Sequence, residues 1–361
     1  MDSKVTTFII AEAGVNHNGS LDTARQLVDA AAAAGANAVK FQTFRAEQLV
    51  SRHAPKAEYQ TRTTDKSESQ LEMIRKLELS ESDHESLIAH AKSRRIAFLS
   101  APFDLPSLQL LINRFGLETI KVPSGEITNA PFLLEIARMA KRVILSTGMS
   151  TLAEVEAALG ALAFGFTQPP GAAPAREAFA HAFAGDDGQQ ALRQRVTLLH
   201  CTTEYPAAFA EVNLRAMDTL ASAFGLPVGY SDHTTGIHIP LAAVARGARM
   251  IEKHFTLDRS LPGPDHRASL EPGELLQMVA AIREVELALG DGVKRPSPAE
   301  WKNRDVARKS LVAARAIAAG EAFSAENIAC KRPGTGRSPM DYWRIIGTRS
   351  DRSCDPDEVI E

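Results

Sequence analysis

Two histidines each close a short apolar run, in Ser231-Asp232-His233 and Glu252-Lys253-His254. If those runs are adjacent strands, their ends lie side by side, and two neutral imidazoles can share one divalent cation while leaving positions for water and substrate. An isolated histidine more often orients a loop or satisfies buried polar groups; two at matching strand ends favour the metal. Nitrogen ligands without a fixed carboxylate suit exchangeable Mn, Co or Mg better than structural zinc. Lys40 and Lys121 interrupt apolar strand sequence, where a charge is costly unless it is paired or faces a site. With the hydroxyls of Ser124, Ser146 and Ser231 and the turns Ser124-Gly125 and Thr147-Gly148, they suit a carboxylate or phosphate. The lysines could instead snorkel to solvent, or one could form the Schiff base of an aldolase.

Glu12 and Glu126 also follow apolar runs; each is a candidate for proton transfer or water activation, or an ion-pair partner of the lysines. Asn16, His17 and Asn18 read as hydrogen-bonding loop residues, with Gly19 permitting the turn. Tyr205 and Asp265 fall in loops suited to gripping a polyhydroxylated substrate.

What must position these residues is a set of eight apolar runs, each breaking off into polar residues, separated by amphipathic stretches such as Leu21 to Ala34 and Glu81 to Arg95. Strand-helix alternation implies a parallel sheet, and eight units imply a closed (β/α)8 TIM barrel with its chemistry at the C-terminal strand ends. The barrel reading covers residues 1–290 and closes with a helix from Pro272 to Leu289. Residues 291–303, with Pro296 and Pro298, read as a linker, and 304–361 as a small β-rich domain. Arg45 to Leu79 should form an excursion over the active-site face. Phe166 to Gln190, rich in Pro, Ala, Gly and acidic residues, reads as a mobile surface insertion.

The 361 residues carry a net charge of -3, which argues against a nucleic-acid partner. Three cysteines without metal-type spacing suit a reducing compartment. No stretch reads as a membrane span or signal peptide, so the expected location is cytoplasmic.

In order along the chain, Ile10-Ala11-Glu12-Ala13-Gly14-Val15-Asn16-His17-Asn18-Gly19, Val39-Lys40-Phe41-Gln42-Thr43, Pro123-Ser124-Gly125-Glu126, Leu145-Ser146-Thr147-Gly148-Met149, Ser231-Asp232-His233-Thr234, Glu252-Lys253-His254-Phe255-Thr256, Gly263-Pro264-Asp265-His266 and Lys331-Arg332-Pro333-Gly334 resemble the bacterial sialic acid synthases. The resemblance implies a TIM barrel followed by a β-clip, antifreeze-like (SAF) domain. It implies condensation of phosphoenolpyruvate with an N-acetylated amino-sugar aldehyde, releasing phosphate and forming a nine-carbon 2-keto acid. The expected sugar is N-acetylmannosamine; the rival is 2,4-diacetamido-2,4,6-trideoxymannose, the legionaminic precursor, and segment Ala54 to Gln60 does not separate the two.

By the same resemblance His233 and His254 hold the metal, and Lys40, Lys121, Ser124, Ser146 and Ser231 hold phosphoenolpyruvate. Glu126 helps water add at C2, while Glu12, Asn16, Tyr205 and Asp265 face the sugar. Arg332 would reach the sugar from the second subunit of a domain-swapped homodimer. Thr203 stands where some relatives carry Asn, so no contact is carried over to it.

Overall fold

The computed structural model describes residues 6–56, 60, 61, 64 and 67–361, and the chain divides into two compact units, Met1–Leu289 and Gly290–Glu361. Of the segment Ala54 to Gln60, residues 57–59 lie outside the described ones.

The first unit contains the eight expected strands: β1 (Phe8–Gly14), β2 (Ala38–Thr43), β3 (Ala97–Pro102), β4 (Thr119–Val122), β5 (Arg142–Ser146), β6 (Val196–Cys201), β7 (Val228–Asp232) and β8 (Met250–His254). All their pairings are parallel, in the order β3-β2-β1-β8-β7-β6-β5-β4. The ring is therefore a near-barrel rather than a fully laddered one: β3 and β4 pack together, but no ladder hydrogen bonds join them among the described residues.

Strand periodicity of two then sorts the side chains. Ile9, Ala11 and Ala13 of β1 face the helical layer, whereas Ile10 joins Ala38, Leu99, Ile144 and Leu199 in an apolar plug inside the ring. Two residues further along each strand, the same inward direction carries Glu12, Lys40, Ala101, Ser146 and Cys201. An apolar plug below and a polar layer above follow from one alternation read on several strands.

The surrounding helices start on sequence-encoded caps. The Ser20 hydroxyl accepts from Thr23 N at the start of Leu21–Ala33, and Ser80 with Asp83 forms a capping box for Glu81–Ser93. The predicted closing helix is Pro272–Leu289.

Two expectations change. Phe166 to Gln190 is not a loose insertion, because it carries the helix Arg176–Ala184 and the first half of the helix Asp186–Arg195. Phe179 packs edge-on against Phe164 at 5.3 Å and Phe183 against Phe224 at 6.4 Å, which anchors the segment. The stretch read as a linker runs into a helix, Pro298–Ala307, started by a capping box of Ser297 and Glu300.

The second unit is the small β-rich domain anticipated. Strands β9 (Ser310–Ala313) and β10 (Ile328–Lys331) pair antiparallel, with further bridges from Val312 to Val359 and from Ile317 to Cys354. Leu311, Ile317, Ile328, Ile345 and Ile360 form its core. Among the described residues no helix is long and apolar enough to cross a membrane.

Candidate active site

The polar layer at the strand ends is the floor of a cavity of about 470 Å³. Register explains its composition. Glu12 on β1 stands opposite Lys40 on β2 and His254 on β8, and Ser231 on β7 stands opposite Glu252. Lys40 Nζ lies 2.8 Å from Glu12 Oε1 and 3.7 Å from Glu252 Oε2, and Lys121 Nζ reaches across from β4 to within 3.5 Å of Glu252 Oε1. The Ser231 hydroxyl donates to Glu252 Oε1 at 3.0 Å. All four charged groups are buried.

The two carboxylates are not equivalent. Burial raises the Glu252 carboxyl, but Lys121, Lys40 and the Ser231 hydroxyl outweigh it and hold the group below its ordinary value. Glu12 has Lys40 as its near cation, and its Oε2 has no hydrogen-bond partner. Burial, reinforced by the charge of Glu252, pushes it up to about 7 against the pull of Lys40. Glu12 is thus poised to hold or release a proton near neutral pH, as is Asp265 in the same cavity, which burial pushes up to about 6. Burial lowers Lys121 despite Glu252, whereas Glu12 and Glu252 together carry Lys40 above its ordinary value against burial.

His233 and His254 meet beside this quartet with ring centroids 5.4 Å apart, and the Tyr205 ring lies 4.2 Å from the first and 5.5 Å from the second. Desolvation holds both imidazoles neutral at pH 7, moving His233 down to about 4 and His254 well below its usual value. His233 Nδ1 donates to the Thr202 carbonyl at 2.5 Å, leaving Nε2 with its lone pair. His254 Nδ1 is buried without a hydrogen-bond partner, 3.9 Å from Asp265 Oδ2. Two neutral imidazoles, one oriented by a carbonyl and one with an unspent buried nitrogen, fit a divalent cation. Among the described residues no group of three His, Cys, Asp or Glu side chains forms a ready-made metal cluster. Behind the floor, Lys253 pairs with Asp232 at 2.5 Å, and Asp232 also accepts from Thr234, bracing the ends of β7 and β8.

A second cluster forms where β4, β5 and β6 end. The Ser124 hydroxyl accepts from Gly148 N at 3.0 Å and lies 3.2 Å from Cys201 Sγ. A Cβ at residue 148 would stand 2.3 Å from Thr203 Oγ1 and 2.8 Å from Ser124 Oγ, so any side chain here would displace these hydroxyls. Thr203 Oγ1 is itself buried and unpartnered. Hydroxyls and a backbone amide gathered beside two lysines are chemically suited to an anion.

The cavity brings together Glu12, Lys40, Lys121, Ser124, Ser146, Tyr205, Ser231, His233, His254 and Asp265. Three anticipated residues are not among those that line it. Asn16 is buried, its amide nitrogen donates to the Phe255 carbonyl and to Ser269 Oγ, and its Oδ1 has no hydrogen-bond partner. Glu126 closes a 3₁₀ turn, where its carboxylate accepts from Asn129 at 2.7 Å. Arg332 is exposed in the second unit.

Sequence reasoning missed Glu252 and Gln42. The signal was present: Glu252 lies two residues before His254 and Gln42 two after Lys40, and in a strand that places each pair on one face. Thr203, to which no contact was carried over, also lines the cavity.

A model of the NeuB family matches residues 27–294, and one of the SAF domain matches residues 308–361. The chain is 52% identical over 354 residues to the N,N'-diacetyllegionaminic acid synthase of Campylobacter jejuni, covering 98% of both chains. It is 47% identical to the enzyme of that name from Legionella pneumophila, covering 96% of this chain and 91% of that one. Among solved structures, the N-acetylneuraminic acid synthetase of Leptospira borgpetersenii superposes with a TM-score of 0.67 at 33% identity, covering 83% of this chain and 91% of the other.

Proposed function

The chain belongs to the NeuB family, and from that premise we propose that it condenses phosphoenolpyruvate with 2,4-diacetamido-2,4,6-trideoxymannose, the reaction of an N,N'-diacetyllegionaminic acid synthase. The observation that carries this is the 52% identity across 98% of both chains to a protein of that name. It replaces the expected N-acetylmannosamine, since the sialic acid synthetase is only 33% identical.

In this reading Lys40 and Lys121 bind the phosphate and carboxylate of phosphoenolpyruvate, with Ser124, Ser146, Ser231 and the Gly148 amide as further donors. A divalent cation on His233 and His254, when bound, supplies Lewis-acid polarisation of the sugar aldehyde. The enol carbon C3 bonds to aldehyde carbon C1, and water adds its oxygen to C2, its released proton ending on the C1 oxygen as a hydroxyl. The resulting tetrahedral centre loses phosphate by cleavage of the C2–O bond to phosphorus, the C2 hydroxyl proton leaving with the phosphate as the ketone forms. Glu12, raised to about 7, is placed to take the proton from that water, the role expected of Glu126. The lysines stabilise charge on the leaving phosphate without forming a covalent bond. We assign Tyr205 and Asp265 to the sugar, the cytoplasm as the setting, and a homodimer as the working form, with Arg332 reaching the sugar across subunits.

Phosphate release is measured with each candidate sugar, with and without EDTA and added Mn. Turnover of the diacetamido sugar at least tenfold above N-acetylmannosamine, abolished by EDTA, is expected. Preference for N-acetylmannosamine would overturn the sugar assignment, and full activity in EDTA would overturn the metal.

A further inference from the structure

The cavity has a second character that the charged floor does not use. The excursion after β2 turns Leu49, Met73, Ile74 and Leu77 into the same cavity, beside Phe44 and Phe103. These are not chance exposures. Val15, Phe44 and Leu77 form their own buried cluster, on which Leu49, Ile74 and Phe103 pack, and the Phe44 and Phe103 rings meet edge-on at 6.2 Å. Met73 is 4% and Leu77 8% exposed. The helix Gln70–Arg75 that presents Met73 and Ile74 is fixed by a full capping box of Ser69 and Glu72. An apolar wall, edged by Ser51, Gln60 and Gln70, thus stands over a floor of ions.

The reaction pins the aldehyde carbon of the sugar to the histidines at the strand ends. The rest of its chain must run outward toward the loops, with C6 farthest from the reacting centre. Resting on the proposed function, we propose that this apolar wall seats the C6 methyl group and is the element that discriminates against sugars carrying a C6 hydroxyl. Leu49, Met73, Ile74 and Leu77 offer such a hydroxyl no hydrogen-bond partner, so it loses its water uncompensated. The acetamido nitrogen and oxygen at C4 have Gln70, which also lines the cavity, as a polar neighbour at the edge of the wall. Apolar pockets reject an added hydroxyl only modestly, by roughly 10- to 100-fold in kcat/KM.

The experiment compares kcat/KM for 2,4-diacetamido-2,4,6-trideoxymannose and its 6-hydroxy counterpart. The chain itself, Ile74→Thr, Met73→Gln and the apolar control Met73→Leu are used, each checked for an unchanged thermal midpoint. The parent should favour the methyl sugar by roughly 10- to 100-fold. Ile74→Thr or Met73→Gln should narrow the ratio at least fivefold, while Met73→Leu leaves it unchanged. A parent ratio near one, or polar variants that weaken both sugars equally, overturns the wall's role while leaving the proposed function standing. Absence of turnover with either diacetamido sugar overturns the function itself, and the wall assignment with it.

Discussion

Replacing Glu252 with glutamine removes one charge from the floor while keeping its shape and an acceptor for the Ser231 hydroxyl. Among the described residues Glu252 is the carboxylate within 4 Å of Lys121, at 3.5 Å, and it also lies 3.7 Å from Lys40. Both ammonium groups are buried, so the substitution leaves Lys121 without a near counter-charge. Breaking one partner of such a pair costs about 3–5 kcal/mol. Burial already lowers Lys121, so it can shed its proton and limit the loss to the lower end. At roughly 2 °C per kcal/mol for a unit of this size, the midpoint should fall by about 6 °C. A multivalent anion restores the missing charge and no longer competes with the carboxylate for the lysines. Phosphoenolpyruvate or inorganic phosphate should therefore raise the midpoint more in the variant than in the parent. Thermal unfolding followed by circular dichroism at pH 7.5 and constant ionic strength, with and without anion, reads both effects. An unchanged midpoint, or stronger anion stabilisation of the parent, would refute the four-charge description of the floor.

Other consequences are separable. His233→Ala and His254→Ala should each abolish phosphate release while leaving the circular dichroism spectrum intact; loss of the spectrum would make them core residues instead. Gly148→Ala should raise the KM for phosphoenolpyruvate at least tenfold, because its Cβ would press on Thr203 Oγ1 and Ser124 Oγ; an unchanged KM would remove this corner from the anion seat. Burial lowers His17 to about 4, so below pH 6.5 the unfolded chain takes up a proton that the folded chain refuses until near pH 4. Stability should fall across that window by up to about 3 kcal/mol from this group, and urea unfolding should show a flatter pH dependence for His17→Gln. Mixing Arg332→Ala with a barrel-dead variant should restore activity if the two subunits share sites, and no recovery would refute the exchange.

Most of the fold was legible because its signals are local. The apolar runs, the amphipathic stretches between them and the closing helix are written in contiguous residues. The histidine pair and both lysines were visible for the same reason: charge or imidazole at the end of an apolar strand has few structural uses. Glu252 escaped because it sits in a run of three polar residues whose neighbour His254 drew the inference. Glu126 was given a catalytic task on its motif; the 3₁₀ turn after β4 leaves it outside the cavity lining, with its carboxylate accepting from Asn129. That is a matter of turn direction, which spacing does not reveal. The helices between 176 and 195 were hidden by the Pro-Pro-Gly turn before them, although Phe179 and Phe183 at i and i+4 already marked an apolar, packing face.

The missing ladder between β3 and β4 gives the ion pair from Lys121 to Glu252 a mechanical meaning. Among the described residues β4 is laddered only to β5, so along the sheet it is a terminus, as distant in the ladder from β3 as any strand can be. Lys121 throws a charged strut across the bore of the ring to β8. An anion that takes Lys121 from Glu252 also takes hold of that strut, so filling the site tightens or slackens the one place where the ring is cut. Amide exchange along β3 and β4 should therefore respond to phosphoenolpyruvate before the continuous side of the ring does.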